Sequence, residues 1–463
     1  KSVWIGTALR TPRPASAGKE TLSKENGCPS QFLKKSAFIR HKPALIQPSP
    51  WLLFFSLKEV VKQDETKAKQ YINRYLWPYT PVKIQYFLKI LYDDVFIKQF
   101  QNDYNVKFLP KTQLLNVNFT KAKLDFLTER KDGVYNKNTV RKSFQIELIE
   151  DNKAWIIDNA GIISQINLKK ILSNEKEKVQ HKIITSNIKP HQILDSFVHD
   201  NKIYLSFVSL KDKCFKFNIY MAPIVEKDLI FESFFTPKEC NETIIQGGRM
   251  QHYVHKNQKG LLFTVGDSSN PDFSNGNKSQ NVSSIYGKIL FKGFMDNKKY
   301  SIFSIGHRNP QGLYVDNNLI LSTEHGPKSG DEINNIIFEQ NYGWPIASYG
   351  ESYFDEGLRY KKDHASYSFK EPVFSFLPAI GISEIIKIPD NFTPFWKNNF
   401  ILSSLNGSSL YRIKFNKNLD RIILYEKIYI GERIRDLKYS KKFKTIFLAL
   451  ESEGNLGILN LKD

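Results

Sequence analysis

The sequence predicts an all-β body preceded by a partly helical N-terminal extension. Three observations lead there. From about residue 106 to residue 463, short apolar runs recur with turn residues every ten or so positions. Helical periodicity is scarce over the same span, while Tyr, Phe and Ile, which suit a pleated and half-buried surface, are frequent. Several runs also end in dense polar clusters beside Gly and Pro, the pattern of a loop-borne site held on a rigid sheet. Strands at this spacing fit a β-propeller, a pair of sandwiches or a large barrel, and no WD or kelch signature decides among them.

Taken in order, residues 1–50 are rich in Pro, Ser, Ala and Lys without a period, and read as disordered or outside the fold. Residues 51–105 differ. Lys58–Leu76 and Val82–Phe100 place apolar residues at helical spacing, with Pro78 and Pro81 between them, which predicts a helical extension. The body, 106–463, follows. Lys153–Leu168 reads as two strands turned at Asn159-Ala160-Gly161, and Lys202–Ser209 with Phe215–Ala222 as another pair. Gly260–Val265, Gly287–Phe291, Tyr300–Ile305, Leu319–Thr323, Asn399–Ser403, Ser409–Phe415, Ile422–Tyr425, Thr445–Leu450 and Leu456–Leu461 continue the series.

The formal charge is 67 − 47 = +20. Such a balance attracts anions, but the lysines are spread along the chain and no basic helix or RNA-binding aromatic motif stands out, so nucleic acid is not an expected partner. Of three cysteines, Cys28, Cys214 and Cys240, no two form a C-x-x-C pair, which argues against a zinc or dithiol site. Cys214 and Cys240 suit either a disulfide or two separate thiols. No apolar run approaches the ~20 residues a membrane helix needs. Trp51–Leu57 follows basic residues as a signal-peptide core would, yet it is short and lacks a small-residue cleavage site.

The polar clusters carry the chemistry. Asp267 follows Gly266 at a strand end, as an acid, a base, a metal ligand or a turn former would. Arg308-Asn309 offers a cation and an amide before Pro310, suited to an anion or to an ion pair that pins a loop. Asp331-Glu332, near the carbonyls of Gly326-Pro327 and Tyr342, has the oxygen character of a Ca²⁺ site without EF-hand spacing; a capped turn is the plainer explanation. Arg433 and Arg435 share a face if they lie on a strand, where they suit an anion or an exposed edge.

Together the clusters GHRNPQGL, EHGP-x-x-GDEIN, NYGWP-x-x-SYGE and RIRD resemble the glucose/sorbosone dehydrogenase family, over about Asn152–Leu461 and most strongly from Gly247 to Tyr353. That resemblance implies a six-bladed β-propeller and a dehydrogenase of sugars or other alcohols that uses pyrroloquinoline quinone (PQQ) and Ca²⁺. Arg308, Asn309, His325, Arg433 and Arg435 would hold the quinone. Gly326 and Pro327 would offer carbonyls to a catalytic Ca²⁺, while Asp331, Glu332, Tyr342 and Ala347 match structural calcium positions. It further implies an external electron acceptor and a periplasmic or extracellular location.

One departure stands out. The family's general base is a His in patterns like H-x-G-G-R, and here the segment reads Ile245-Gln246-Gly247-Gly248-Arg249. Loss of a base removes a contribution of roughly 10²–10⁴-fold. Asp267, His252 and His255 are the candidates to replace it. A lysine that the family places later has no match in register; Lys387 is the nearest. The alternative expectation is a calcium-stabilised propeller without turnover that binds a glycan or a protein.

Overall fold

The computed structural model describes residues 117–131, 140–173, 178–243, 245–267, 278–296, 299–316, 319–352 and 360–461. The expected N-terminal segments, 1–50 and 51–105, lie outside the described residues, as does Cys28.

Six four-stranded antiparallel sheets form the blades of a propeller. Blade 1 runs Phe144–Glu150, Lys153–Asp158, Ile163–Asn167 and His181–Ile184. Blade 2 runs Gln192–His199, Lys202–Lys211, Cys214–Pro223 and Glu232–Phe235. Blade 3 runs Gly247–His255, Gln258–Val265, Lys288–Gly293 and Ser301–Ile305. Blade 4 runs Pro310–Asp316, Leu319–Glu324, Asp331–Asn335 and Phe374–Phe376. Blade 5 runs Ile382–Lys387, Phe400–Ser404, Ser409–Phe415 and Ile422–Tyr429. Blade 6 takes Ile434–Ser440, Thr445–Leu450 and Asn455–Leu461 from the C-terminal end, and its outer strand, Val117–Lys123, from before blade 1. Pairing of Val117 with Leu461 through Lys123 with Asn455 closes the ring.

Flat sheets must bury both faces, and here each does so against its neighbours. Six apolar clusters fill the six gaps between adjacent blades. The first strands of successive blades touch one another around the ring and line the central channel. In blades 2 to 6 that strand is interrupted near its start by a register shift: between Ile193 and Asp195, Gly247 and Met250, Pro310 and Gly312, Ile382 and Ile385, and Ile434 and Asp436. A bulge turns the side chains around it away from strict alternation. The blade 3 bulge needs its glycines: Gly248 has φ +97°, and a Cβ there would meet Leu194 Cβ at 2.4 Å.

Cys214 and Cys240 are joined in a disulfide. The bond lies beside paired backbone hydrogen bonds between Phe215 and Asn241, of 2.7 and 2.8 Å, and fixes the segment that leads into blade 3. Among the described residues no helix is long and apolar enough to cross a membrane.

Candidate active site

The bulges gather charge on the channel axis. Arg249, 2% exposed, donates Nη1 to Asp195 Oδ1 at 2.9 Å and lies 2.7 Å from Glu384 Oε2 and 3.5 Å from Asp436 Oδ1. Its Nε donates to Gln311 O at 2.6 Å and its Nη2 to Arg435 O at 2.8 Å. One side chain therefore ties blades 2, 4, 5 and 6 to blade 3. Beside it, Lys438 Nζ lies 3.0 Å from Glu147 Oε1. Four acids thus face two bases in a buried place. Burial is the main cause that pushes Glu147 and Glu384 up to about 7, against the pull of Lys438 and Arg249.

One end of the channel, where the first strands begin and the second strands finish, forms the site. Asp267 follows the second strand of blade 3. Its backbone N–H donates to Arg308 O at 2.6 Å, and its Oδ2 accepts from Trp344 Nε1 at 2.7 Å. The Arg308 guanidinium sits 5.3 Å from the Trp344 ring and donates Nη1 to His325 O at 3.1 Å and Gly326 O at 2.7 Å. Glu324 receives the Arg308 backbone N–H and, at 3.0 Å, pairs with His307. Across the opening, Arg433 Nε and Arg435 Nε donate to the two oxygens of Glu451, at 2.7 and 2.8 Å. Burial alone would raise the Glu451 carboxyl, but Arg435 and Arg433 overcome it and hold it at about 2. An acid thus stands between the two arginines, supplied by the turn that follows the adjacent strand, and the trio keeps one net positive charge.

Between these halves run Asn309 and Gln311. Gln311 accepts from Arg435 and donates to Asn309, which reaches His325 Nδ1 at 3.3 Å. The Nε2 of His325 is buried with no side-chain partner. Burial shifts the ring towards its neutral form against the pull of Asp331 and of the Ile382 backbone, with Arg308 and Arg435 adding to the shift.

The expected calcium positions divide. Asp331 spends its oxygens on three backbone donors, Gly326 N at 3.1 Å, Ile380 N at 2.9 Å and Ile382 N at 3.0 Å, and so anchors the loop. Glu332, Tyr342 and Ala347 instead line one small void of about 10 Å³ together with Glu324, His325 and Gly326. Burial and then the neighbouring Glu324 raise the Glu332 carboxyl well above its usual range. Pro327 packs against Gly350 beside this loop.

Other residues stand apart. Ile245 is fully buried in the apolar cluster between blades 2 and 3, with Leu194 and Phe263. His252 and His255 lie towards the far end of the strand that starts at Gly247, roughly 15 Å or more along it by the usual rise. There His252 stacks on His199, with ring centroids 4.3 Å apart, and His255 packs on Phe338. Lys387 also lies at the far end of its strand, paired with Asp316 at 3.1 Å. Of the three candidates for a replacement base, Asp267 alone sits in the site. Sequence reading missed Trp344 as the partner of Asp267, although it lies inside a quoted motif. Glu451 carried no local signal, because its partners precede it by 16 and 18 residues.

The profile of the family described as Glucose / Sorbosone dehydrogenase matches residues 140–458, which take in every rim residue named above and all the blades except the outer strand of blade 6, Val117–Lys123, and the end of Asn455–Leu461. The chain belongs to this family. Within the family's wider circle it resembles the aldose sugar dehydrogenase YliI of Escherichia coli (strain K12), with 30% identity over 159 residues, 34% of this chain and 42% of that protein. It also resembles quinoprotein glucose dehydrogenase B of Acinetobacter calcoaceticus, with 34% identity over 125 residues, 24% of this chain and 25% of that protein. The matched segments span about half or less of the curated relatives' lengths. The fold is shared with the PQQ-bound aldose sugar dehydrogenase of Streptomyces coelicolor, at a TM-score of 0.52 and 17% identity, over 74% of this chain and 98% of that one.

Proposed function

We propose that the rim binds a tricarboxylated quinone of the PQQ type and that the protein is a Ca²⁺-assisted, quinone-dependent dehydrogenase of sugars or other alcohols. The observation that carries this reading is a set of guanidinium donors: Arg433 and Arg435 share one carboxylate and keep a net positive charge, and the Arg308 guanidinium is held by two carbonyls, those of His325 and Gly326. Carboxylates and quinone carbonyls are the acceptors such a set calls for. Its relatives, an aldose sugar dehydrogenase and a quinoprotein glucose dehydrogenase, support the same choice.

When bound, the quinone supplies the hydride acceptor. Arg433 and Arg435 would take a carboxylate on one side, and Arg308, Asn309 and His325 the acceptors on the other. Asp267, oriented by the Trp344 N–H, would take the proton of the substrate hydroxyl in place of the histidine that Ile245 replaces. Glu324 and Glu332, which line one void with Tyr342 and Ala347, are ligands of the type that a hard cation such as Ca²⁺ takes, and its charge would let Glu332 ionise once Arg308, which lines the same void, turns away. At Gly326 the fit is conditional, because its carbonyl already accepts from Arg308 and that guanidinium must turn before Gly326 and Pro327 hold a catalytic ion. Such an enzyme hands electrons to an external acceptor. A periplasmic or extracellular setting agrees with the Cys214–Cys240 disulfide.

The second reading, a propeller that keeps the scaffold and binds a glycan or protein without turnover, is favoured by Ile245: it occupies the base position and points into an apolar core. Dye reduction with a panel of aldoses, after loading with PQQ and Ca²⁺, separates the two. Turnover supports the enzyme. Tight quinone binding without turnover on any aldose or alcohol supports the disabled site.

A further inference from the structure

The rim contains a run of hydrogen bonds whose direction is fixed at one end. The Arg435 guanidinium can only donate, and its Nη1 gives to Gln311 Oε1 at 2.9 Å. That leaves Gln311 Nε2 to donate to Asn309 Oδ1, at 2.8 Å. Asn309 then has only its Nδ2 for His325, whose Nδ1 lies 3.3 Å away. A ring nitrogen that accepts carries no hydrogen, so the single proton of the neutral imidazole belongs on Nε2. Turning Gln311 over would set donor against donor at Arg435, and turning Asn309 over alone would do so at Gln311. Arg435 in turn is held by Glu451. Both amides are buried, Asn309 at 5% and Gln311 at 8% exposure, so water does not compete for these positions.

We propose that Gln311 is a positioning residue that passes the donor polarity of Arg435 through Asn309 and fixes His325 as the Nε2–H tautomer. The Nε2 edge of the ring, beside the Ile382 backbone, then carries a donor and favours an acceptor atom, a carboxylate or carbonyl oxygen, in whatever occupies the site. The opposite tautomer would present a lone pair there and repel the same atom. Only the identity of that occupant rests on the quinone reading; the tautomer does not.

The experiment is a long-range ¹H–¹⁵N spectrum of the histidine-labelled protein at neutral pH without quinone, with the His325 signal assigned by its loss in His325→Gln. The expected pattern is protonated Nε2 and bare Nδ1. Gln311→Glu keeps the shape but offers only acceptors, so Asn309 must turn and the pattern must switch to protonated Nδ1. Asn309→Asp makes the same switch by placing a carboxylate oxygen at Nδ1, and guards against a Gln311→Glu chain that does not fold. The affinity for PQQ falls by about tenfold or more in either variant, as for a buried acceptor set against an acceptor. A wild-type His325 protonated on Nδ1 overturns the proposal, as does Nε2–H retained in both variants. If the tautomer behaves as described while the wild type fails to bind PQQ, the quinone reading falls and the relay stands.

Discussion

Ile245 is the residue on which the chemistry turns. An aliphatic side chain cannot hold a proton, and this one is sealed among Leu194, Phe263 and their neighbours rather than facing the rim. The acid nearest to that role is Asp267, whose carboxylate is aimed by the Trp344 N–H. Asp267→Asn is therefore expected to lower kcat by about 10²–10⁴-fold while leaving the affinity for PQQ within a few fold, in steady-state dye reduction beside a quinone titration. Unchanged turnover in that variant would remove Asp267 from the mechanism. At this scale the sequence was legible wherever residue type alone announces chemistry, as at Arg308, Asn309 and Asp267. It was opaque at Glu451 and Trp344, because a side-chain pair across two strands has no signature until register brings the strands together.

At the scale of elements, the loop that follows the second strand of blade 4 is where binding and stability meet. Asp331 pins it through three backbone donors, and Glu332 faces Glu324 across a void with its carboxyl raised by burial. On the proposed reading, a Ca²⁺ held there would offset the cost of ionising this buried carboxyl, so excess chelator is expected to lower Tm, and added Ca²⁺ to restore it. In Glu332→Gln the response shrinks to near zero. A Tm indifferent to chelator in the wild type would remove calcium from this void. Most middle strands were readable nearly to the residue, as Ser409–Phe415 and Thr445–Leu450 show, whereas the short outer strands His181–Ile184, Glu232–Phe235 and Phe374–Phe376 were not. The channel-lining strands Phe144–Glu150, Gln192–His199 and Ile434–Ser440 were not, because Glu147, Asp195, Asp436 and Lys438 interrupt the apolar alternation, and the three acids are buried only by the ring itself. The strand Val117–Lys123 was missed for a related reason: its partner, Asn455–Leu461, lies at the other end of the chain.

For the whole molecule, ring closure places four acids and two bases on one axis, and this sets a pH dependence. Glu147 and Glu384 are raised to about 7, so between about 4.5 and 7 the folded chain keeps protons that the unfolded chain releases. Asp195 is shifted in the same direction, chiefly by burial. Their contribution to stability is full at low pH and lost as pH rises through that window. Glu451, held at about 2, works the other way: its contribution is present above about 4.5 and lost as pH falls towards 2. Melting curves are expected to show Tm falling from pH 4.5 to 7, with a shallower fall in Glu147→Gln; a Tm that rises across this interval would contradict the account of the channel. The central claim, that the arginine-bearing rim at one end of this channel is a quinone site, is tested most directly by titrating the purified protein with PQQ, with and without Ca²⁺, and following quinone absorbance and tryptophan fluorescence. The account predicts saturable binding that tightens with Ca²⁺ and weakens when Arg433 and Arg435 are both replaced by Ala. No saturable binding at either calcium level would contradict it.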